Sequence, residues 1–240
     1  MKSLINHFRE ESKNSLPDIS HFHPVGEALG SNPGGPHVDP YTHQKYYVKF
    51  YSDPDQAKSE VAAAKIYEHV GAKTLNPSLA THNGRTAVVT QWRDDVKPLK
   101  REDYNNLSDD QKHDLARHFH AAILTKNWDS VGMGWDNLGK DAEGKLHTID
   151  TGGTFNFRAQ GGHKDFGSDI AEKKSLRDPA VNSYSAFSFS KLGPEHHASA
   201  INHVQGLTDS DTDNATAHLP AHIARNIKGR RDALLKDHLG

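Results

Sequence analysis

Lys49 stands in Tyr46-Tyr47-Val48-Lys49-Phe50-Tyr51, a run of strand formers in which an unpaired buried ammonium would be costly. In the helix that follows, Glu60 shares a face with Ala57, Val61, Ala64 and Tyr67 by helical spacing. Pairing the two solves both burial problems and leaves a lysine placed to meet an anionic ligand. Upstream, "LGSNPGG" (29–35) offers backbone N–H groups that glycine lets approach an anion closely. Downstream, Asp129 opens a glycine-bearing loop that Asn137 closes, and Asp150 ends the apolar run before two glycines. Acid, amide and acid in that order suit phosphoryl transfer. One acid accepts or orients a hydroxyl, while the amide oxygen and the other acid hold a magnesium ion bridging phosphates. Taken singly, each residue has a plainer reading. Lys49 could be a solvated edge lysine, the glycine cluster a turn, Asp129 a turn former and Asp150 a cap.

The elements that must position these residues follow from local pattern. Residues 1–24 read as a short amphipathic helix (Leu4, Ile5, Phe8) and a linker carrying proline and histidine. Residues 27–51 read as two strands around a loop holding Gly30, Gly34 and Gly35. A helix begins at Asp53, with Pro54 in its first turn and Gln56 completing a capping box, and stops at Gly71. "TAVVTQW" (86–92) is a strand. A second long helix, opened by Ser108 or Asp109, sets Leu115, Phe119, Ala122 and Ile123 on one face. Residues 136–150 read as two short strands around an Asp/Gly turn. Beyond residue 160 the pattern is polar, with short helical patches and a final helix over 221–239. The order predicts an α+β fold of two lobes: a small β-rich lobe with one helix over 25–96 and a mainly helical one over 97–240.

With these parts in hand, "GSNPGG", "YYVKF", "SEVAAAKIYEHVGA", "NWDSVGMGWDN" and "HTIDTGG" resemble atypical protein kinases of the HipA-type and phosphatidylinositol-kinase-like branch, in particular small kinase-like domains of bacterial effectors and phage-associated proteins. The resemblance implies a two-lobed kinase-like fold, an ATP- and Mg2+-dependent phosphotransferase, and a Ser/Thr protein as acceptor. It implies that Gly30, Ser31, Asn32, Gly34 and Gly35 form a loop over the ATP phosphates, that Lys49 contacts the α/β-phosphates and that Glu60 orients it. Gln91 and Trp92 would lie beside the adenine, Asp129 would be the catalytic acid, and Asn137 and Asp150 would hold magnesium. A toxin or effector role is implied too, in the cytoplasm or after delivery into a host cell. Nucleotidyl transfer, small-molecule phosphorylation and a catalytically silent binding module are the alternatives on the same fold. The sequence departs from the common kinase pattern in three places. "NWD" stands where H-R-D is usual, the step from Asp129 to Asn137 is three residues longer and makes Asp136 a rival, and "DTGG" replaces D-F-G. Without that aromatic and without a standard activation segment, the enzyme is expected to work without activation-loop phosphorylation.

Composition narrows the alternatives. The 240 residues carry 29 basic against 31 acidic side chains, so no global basic bias calls for nucleic acid as partner. Mean hydropathy is −0.79; no membrane insertion is expected, and a monomer acting on a protein substrate is. Absence of cysteine removes disulfides and thiolate metal sites. The 18 histidines contain no H-E-x-x-H and close no ligand set, and are read as solvated or packing residues. The basic stretch at 226–238 is read as a solvated face favoured by the helix dipole.

Overall fold

Alternation along the central strand divides the first sheet into two faces. A computed structural model describes residues 16–29 and 32–239; the expected helix around Leu4, Ile5 and Phe8, and also Gly30 and Ser31, lie outside the described residues. Five antiparallel strands, β1 (His23–Pro24), β2 (Gly34–Val38), β3 (Lys45–Phe50), β4 (Ser78–His82) and β5 (Arg85–Gln91), run in the order β1-β2-β3-β5-β4. Tyr46, Val48 and Ala87 bury one face with Ile19 and Phe22. The opposite face carries Tyr51 and Val88 against Ala57 and Val61 of helix α1 (Pro54–His69). Lys49 pairs with Val88 across the ladder, so period two directs its side chain to the α1 side as well.

Two readings of this half need correction. Ile19 and Phe22 are 0% and 2% exposed, and β1 begins at His23, so the stretch read as linker supplies core. Gly34 and Gly35 are the first residues of β2 rather than loop, with Gly34 in register with Lys49. β4 has no counterpart in the sequence reading. Its hairpin to β5 turns at Asn83 and Gly84, both at positive φ (50° and 73°), the backbone that an Asn-Gly pair supplies.

Helix α1 starts where Asp53 accepts the Asp55 N–H at 2.8 Å, with Pro54 in the first turn, and ends at Gly71, φ 74°. Gln56 does not close a capping box. It is 1% exposed and donates instead to Gly152 O (3.2 Å) and Arg158 O (3.3 Å).

In the second half, the short helix α2 (Arg101–Asn105) leads to α3 (Asp109–Thr125). Ser108 and Gln111 close a reciprocal capping box at the start of α3. Leu115, Phe119, Ala122 and Ile123 are fully buried at the centre of the main core. A three-stranded sheet, β6 (Lys97–Pro98), β7 (Leu138–Lys140) and β8 (Leu146–Thr148), packs beside α3. Five helices complete the chain: α4 (Glu172–Ser175), α5 (Ser183–Phe189), α6 (Pro194–Gly206), α7 (Asp209–Ala215) and α8 (Ala221–Leu239). The basic end of α8 is not a solvated face throughout. Arg230 is 0% exposed, donates to Ile123 O and Gly167 O, and pairs with buried Glu172; a buried guanidinium needs that full set of acceptors. Among the described residues no helix is long and apolar enough to cross a membrane.

Candidate active site

Lys49 Nζ lies 2.8 Å from Glu60 Oε1 and 3.0 Å from Asp150 Oδ2. Strand β3 supplies the lysine, α1 the glutamate and the end of β8 the aspartate, so three distant segments meet on one ammonium. Exposure rises along the set: the side chains are 2% exposed for Glu60, 12% for Lys49 and 35% for Asp150. The triad is therefore sealed at the glutamate and open at Asp150. Burial alone would depress Lys49, but Asp150 and Glu60 outweigh it and hold the ammonium protonated. Burial, with Asp150 adding to it, raises Glu60 against the pull of Lys49. Asp150 ends below the ordinary carboxylate range: burial would raise it, but Lys49 and the Gly152 N–H, 2.7 Å from Oδ1, prevail.

Several side chains lock this triad in place. Tyr51 OH donates to Glu60 Oε2 at 2.6 Å, so both glutamate oxygens are engaged. Thr151 Oγ1 donates to the Glu60 carbonyl at 2.9 Å, and Gln56 clasps the same segment. A Cβ on Gly152 would sit 2.4 Å from Tyr51 OH, so any larger residue there would have to displace that hydroxyl. On the sheet side, a Cβ on Gly34, at φ 135°, would lie 2.0 Å from Val48 O. Glycine thus brings β2 close to the Lys49 strand at its first residue.

The acid–amide pair lies at the same end of the β7–β8 hairpin. Ile149 N donates to Asn137 O at 2.9 Å, which sets Asn137 beside the segment leading to Asp150. Asn137 Nδ2 donates to Asp129 O (2.7 Å) and Asp129 Oδ2 (3.2 Å). Its amide oxygen is then the atom left for another ligand. Asn127 Oδ1 accepts the Asp129 N–H at 3.0 Å. Burial and the nearby Asp150 push the Asp129 carboxyl up to about 6, the poise a proton acceptor near neutrality needs. The rival Asp136 is exposed, and its carboxylate folds over Gly132. Among the described residues Asn137, not Asp136, touches Asp129. The Asp150 carboxylate and Asn137 Oδ1 are hard oxygen donors, a pair that fits Mg2+ rather than a softer metal.

Gln91 ends β5 opposite Tyr46, and Trp92 N donates to Lys45 O at 2.9 Å. The Trp92 ring carries Lys45 Nζ 3.7 Å from its centroid and donates through Nε1 to Asp94. Both residues are half-buried at the junction of the two sheets. Asn32 lies in the bend before β2.

Lys164 has no signature in the sequence. It is 8% exposed and donates to Lys126 O (2.7 Å) and Gly153 O (2.8 Å). Lys126 is the left-handed C-cap of α3 (φ 53°), just before Asp129, and Gly153 follows Asp150. The ammonium therefore staples the segments that carry the two acids. Burial, together with Lys126, depresses it to about 7.

Asp109, His113 and His196 bring three donor atoms within 4.8 Å, a grouping the spacing does not reveal. His196 Nδ1 accepts the Gly193 N–H at 2.8 Å, so the ring proton lies on Nε2, facing Asp109 Oδ1 at 3.0 Å. A metal on Nε2 would strip both ring nitrogens of hydrogen. The geometry serves as a cap joining the first turns of α3 and α6.

No family model matches the chain, and no curated protein matches it. Solved structures do. The proinflammatory kinase CtkA of Helicobacter pylori superposes with a TM-score of 0.55 at 14% identity, over 91% of this chain and 94% of that one. HipA of Shewanella oneidensis, from a toxin–antitoxin complex with HipB and operator DNA, gives 0.47 at 10% identity, over 97% of this chain and 69% of that one. A 618-residue N-terminal fragment of LepB from Legionella pneumophila gives 0.43 at 10%, over 81% and 45%. With CtkA the chain shares a kinase-like fold: a β-rich first half with one helix and a helical second half. At such identity the likeness concerns the fold.

Proposed function

We propose that the protein is an ATP- and Mg2+-dependent phosphotransferase that phosphorylates Ser or Thr of a protein. The observation that carries this reading is Lys49 held between Glu60 and Asp150, with Asp129 and Asn137 hydrogen-bonded on the same side. Such a lysine is charged, oriented and open towards one side only, which is what contact with a nucleotide's α- and β-phosphates demands. Magnesium held by Asp150 and Asn137 would neutralise charge building on the phosphates during transfer. Asp129, poised near 6, accepts the acceptor hydroxyl's proton as oxygen meets phosphorus in line. Gln91 and Trp92 would border the adenine, and Asn32, Gly34 and Gly35 would lie over the phosphates. Catalysis is then positioning and charge neutralisation. The Lys49–Glu60 pair is already formed, so no activation-loop phosphorylation is expected to be needed.

Incubation with γ-labelled and α-labelled ATP tests the reading. Label reaching protein from the γ position alone is expected. Transfer from the α position would establish nucleotidyl transfer instead, and no nucleotide response at all would leave a binding module.

A further inference from the structure

Trp128 immediately precedes Asp129, and its ring is half-exposed. Three cations surround it: Lys164 Nζ lies 4.9 Å from a ring centroid, the Arg158 guanidinium 5.3 Å and Lys126 Nζ 5.7 Å. The buried Glu172 carboxylate answers them from inside. It is 1% exposed, accepts from Trp128 Nε1 at 3.2 Å and lies 3.8 Å from Lys126 Nζ. Its charge is already matched by the buried Arg230. Among the described residues neither Arg158 nor Lys164 has a carboxylate within ion-pair distance. The patch thus holds a surplus of positive charge around an aromatic face, next to the acid that receives the hydroxyl. Burial above all, and then the neighbouring cations Lys126, Arg158 and Arg230, depress the Lys164 ammonium, with Glu172 opposing.

On the phosphotransfer reading the triphosphate has its own cation in Lys49, paired with Asp150. Arg158 stands on the segment after Asp150, is exposed, and is anchored through its carbonyl to Gln56 on α1. An exposed guanidinium on a fixed backbone suits bidentate capture of an incoming anion. The half-exposed indole suits the flank of a polypeptide.

We propose that Trp128, Lys126 and Arg158 form the acceptor subsite, and that it selects a polypeptide segment with an anionic side chain beside the hydroxyl that is phosphorylated. This rests on the phosphotransfer reading. In the step itself the bond from the γ-phosphorus to the β,γ-bridging oxygen breaks and a bond from phosphorus to the acceptor oxygen forms. ADP leaves, and the hydroxyl proton passes to Asp129. Lys164, fixed on two carbonyls, sustains the field without leaving its place.

The test uses the full chain, MgATP carrying a γ-label, and matched peptides in which one serine is flanked by glutamate, phosphoserine, alanine or lysine. The glutamate and phosphoserine peptides are expected to exceed the alanine peptide in kcat/KM by about tenfold or more, as one desolvated charge pair provides. In Arg158→Ala that preference falls towards parity by a rise in peptide KM, with less than about a twofold change in the KM for ATP. Arg158→Glu turns the preference to the lysine peptide, and Arg158→Lys restores part of the original. The glutamate and phosphoserine arms tell a carboxylate reader from a phosphate reader. Equal labelling of all four peptides, or an acidic preference undiminished in Arg158→Ala, overturns the subsite while leaving phosphotransfer standing. If the wild-type chain neither consumes ATP nor labels any peptide, the phosphotransfer reading fails, and the subsite with it.

Discussion

Two buried lysines show how differently one side chain can be used. Lys49 meets two carboxylates, Glu60 and Asp150, and is held protonated. Lys164, buried to a similar degree, meets two neutral carbonyls among other cations and is depressed to about 7. The first pairing leaves the ammonium charged, oriented and open at Asp150, ready for an anion. The second spends its hydrogen bonds on the backbone and fixes the spacing between the Asp129 and Asp150 segments. Burial alone decides neither role; the partners do.

The contrast can be broken from either side. Asp150→Ala and Lys49→Ala are each expected to lower label transfer by about a thousandfold or more, since several kcal/mol of charge stabilisation go with the metal and its phosphate contacts. A circular-dichroism melt on both variants checks that the fold persists. Asp129→Asn removes the proton acceptor and is expected to lower kcat by about 10² to 10⁴, measured with saturating MgATP. Lys164→Met removes the staple, with an expected loss of about tenfold in kcat from misplacement of the acids.

The pH profile of kcat/KM sharpens the same comparison. It should rise through about pH 6 as Asp129 loses its proton, and fall above about pH 7 as the Lys164 ammonium is lost. Lys164→Arg keeps its charge and should push the alkaline limb upward while leaving the acid limb in place. An alkaline limb that does not move assigns it to another group. The smallest effect belongs to Tyr51→Phe, which leaves Glu60 Oε2 without its donor. A loss of about 1 to 3 kcal/mol in thermal stability is expected there, with a few-fold fall in kcat.

That Lys49 meets Glu60 and Asp150, and Asn137 meets Asp129, was legible because each sits at a place local pattern marks: an apolar strand, an amphipathic helix face, a glycine-bearing loop, a strand end. The broad fold was legible for the same reason, since α1, α3, β5 and α8 are strongly periodic or well capped. What escaped depends on contacts between remote segments. Gln56 looked like a capping residue, yet its amide serves carbonyls at 152 and 158. Arg230 looked solvated, yet Glu172 from another helix buries it. Lys164 and the cations around Trp128 come together only once the 151–164 segment folds back on α3 and α1. Strand β4 carried a signal, Asn83-Gly84, that marks a tight hairpin. Gly34 and Gly35 were read by composition as loop, when close approach to β3 is what requires them.

The most direct measurement is calorimetric titration of ATP, with and without Mg2+, into the wild-type chain, Lys49→Ala and Asp150→Ala. A lysine on the phosphates and an acid on the metal predict separable losses. Lys49→Ala should weaken binding by about tenfold or more in both conditions, as loss of a charge-assisted contact does. Asp150→Ala should cancel the increment that Mg2+ adds to the wild type. A wild-type chain that binds no ATP, or an undiminished Mg2+ increment in Asp150→Ala, would contradict a nucleotide–metal site at this cleft.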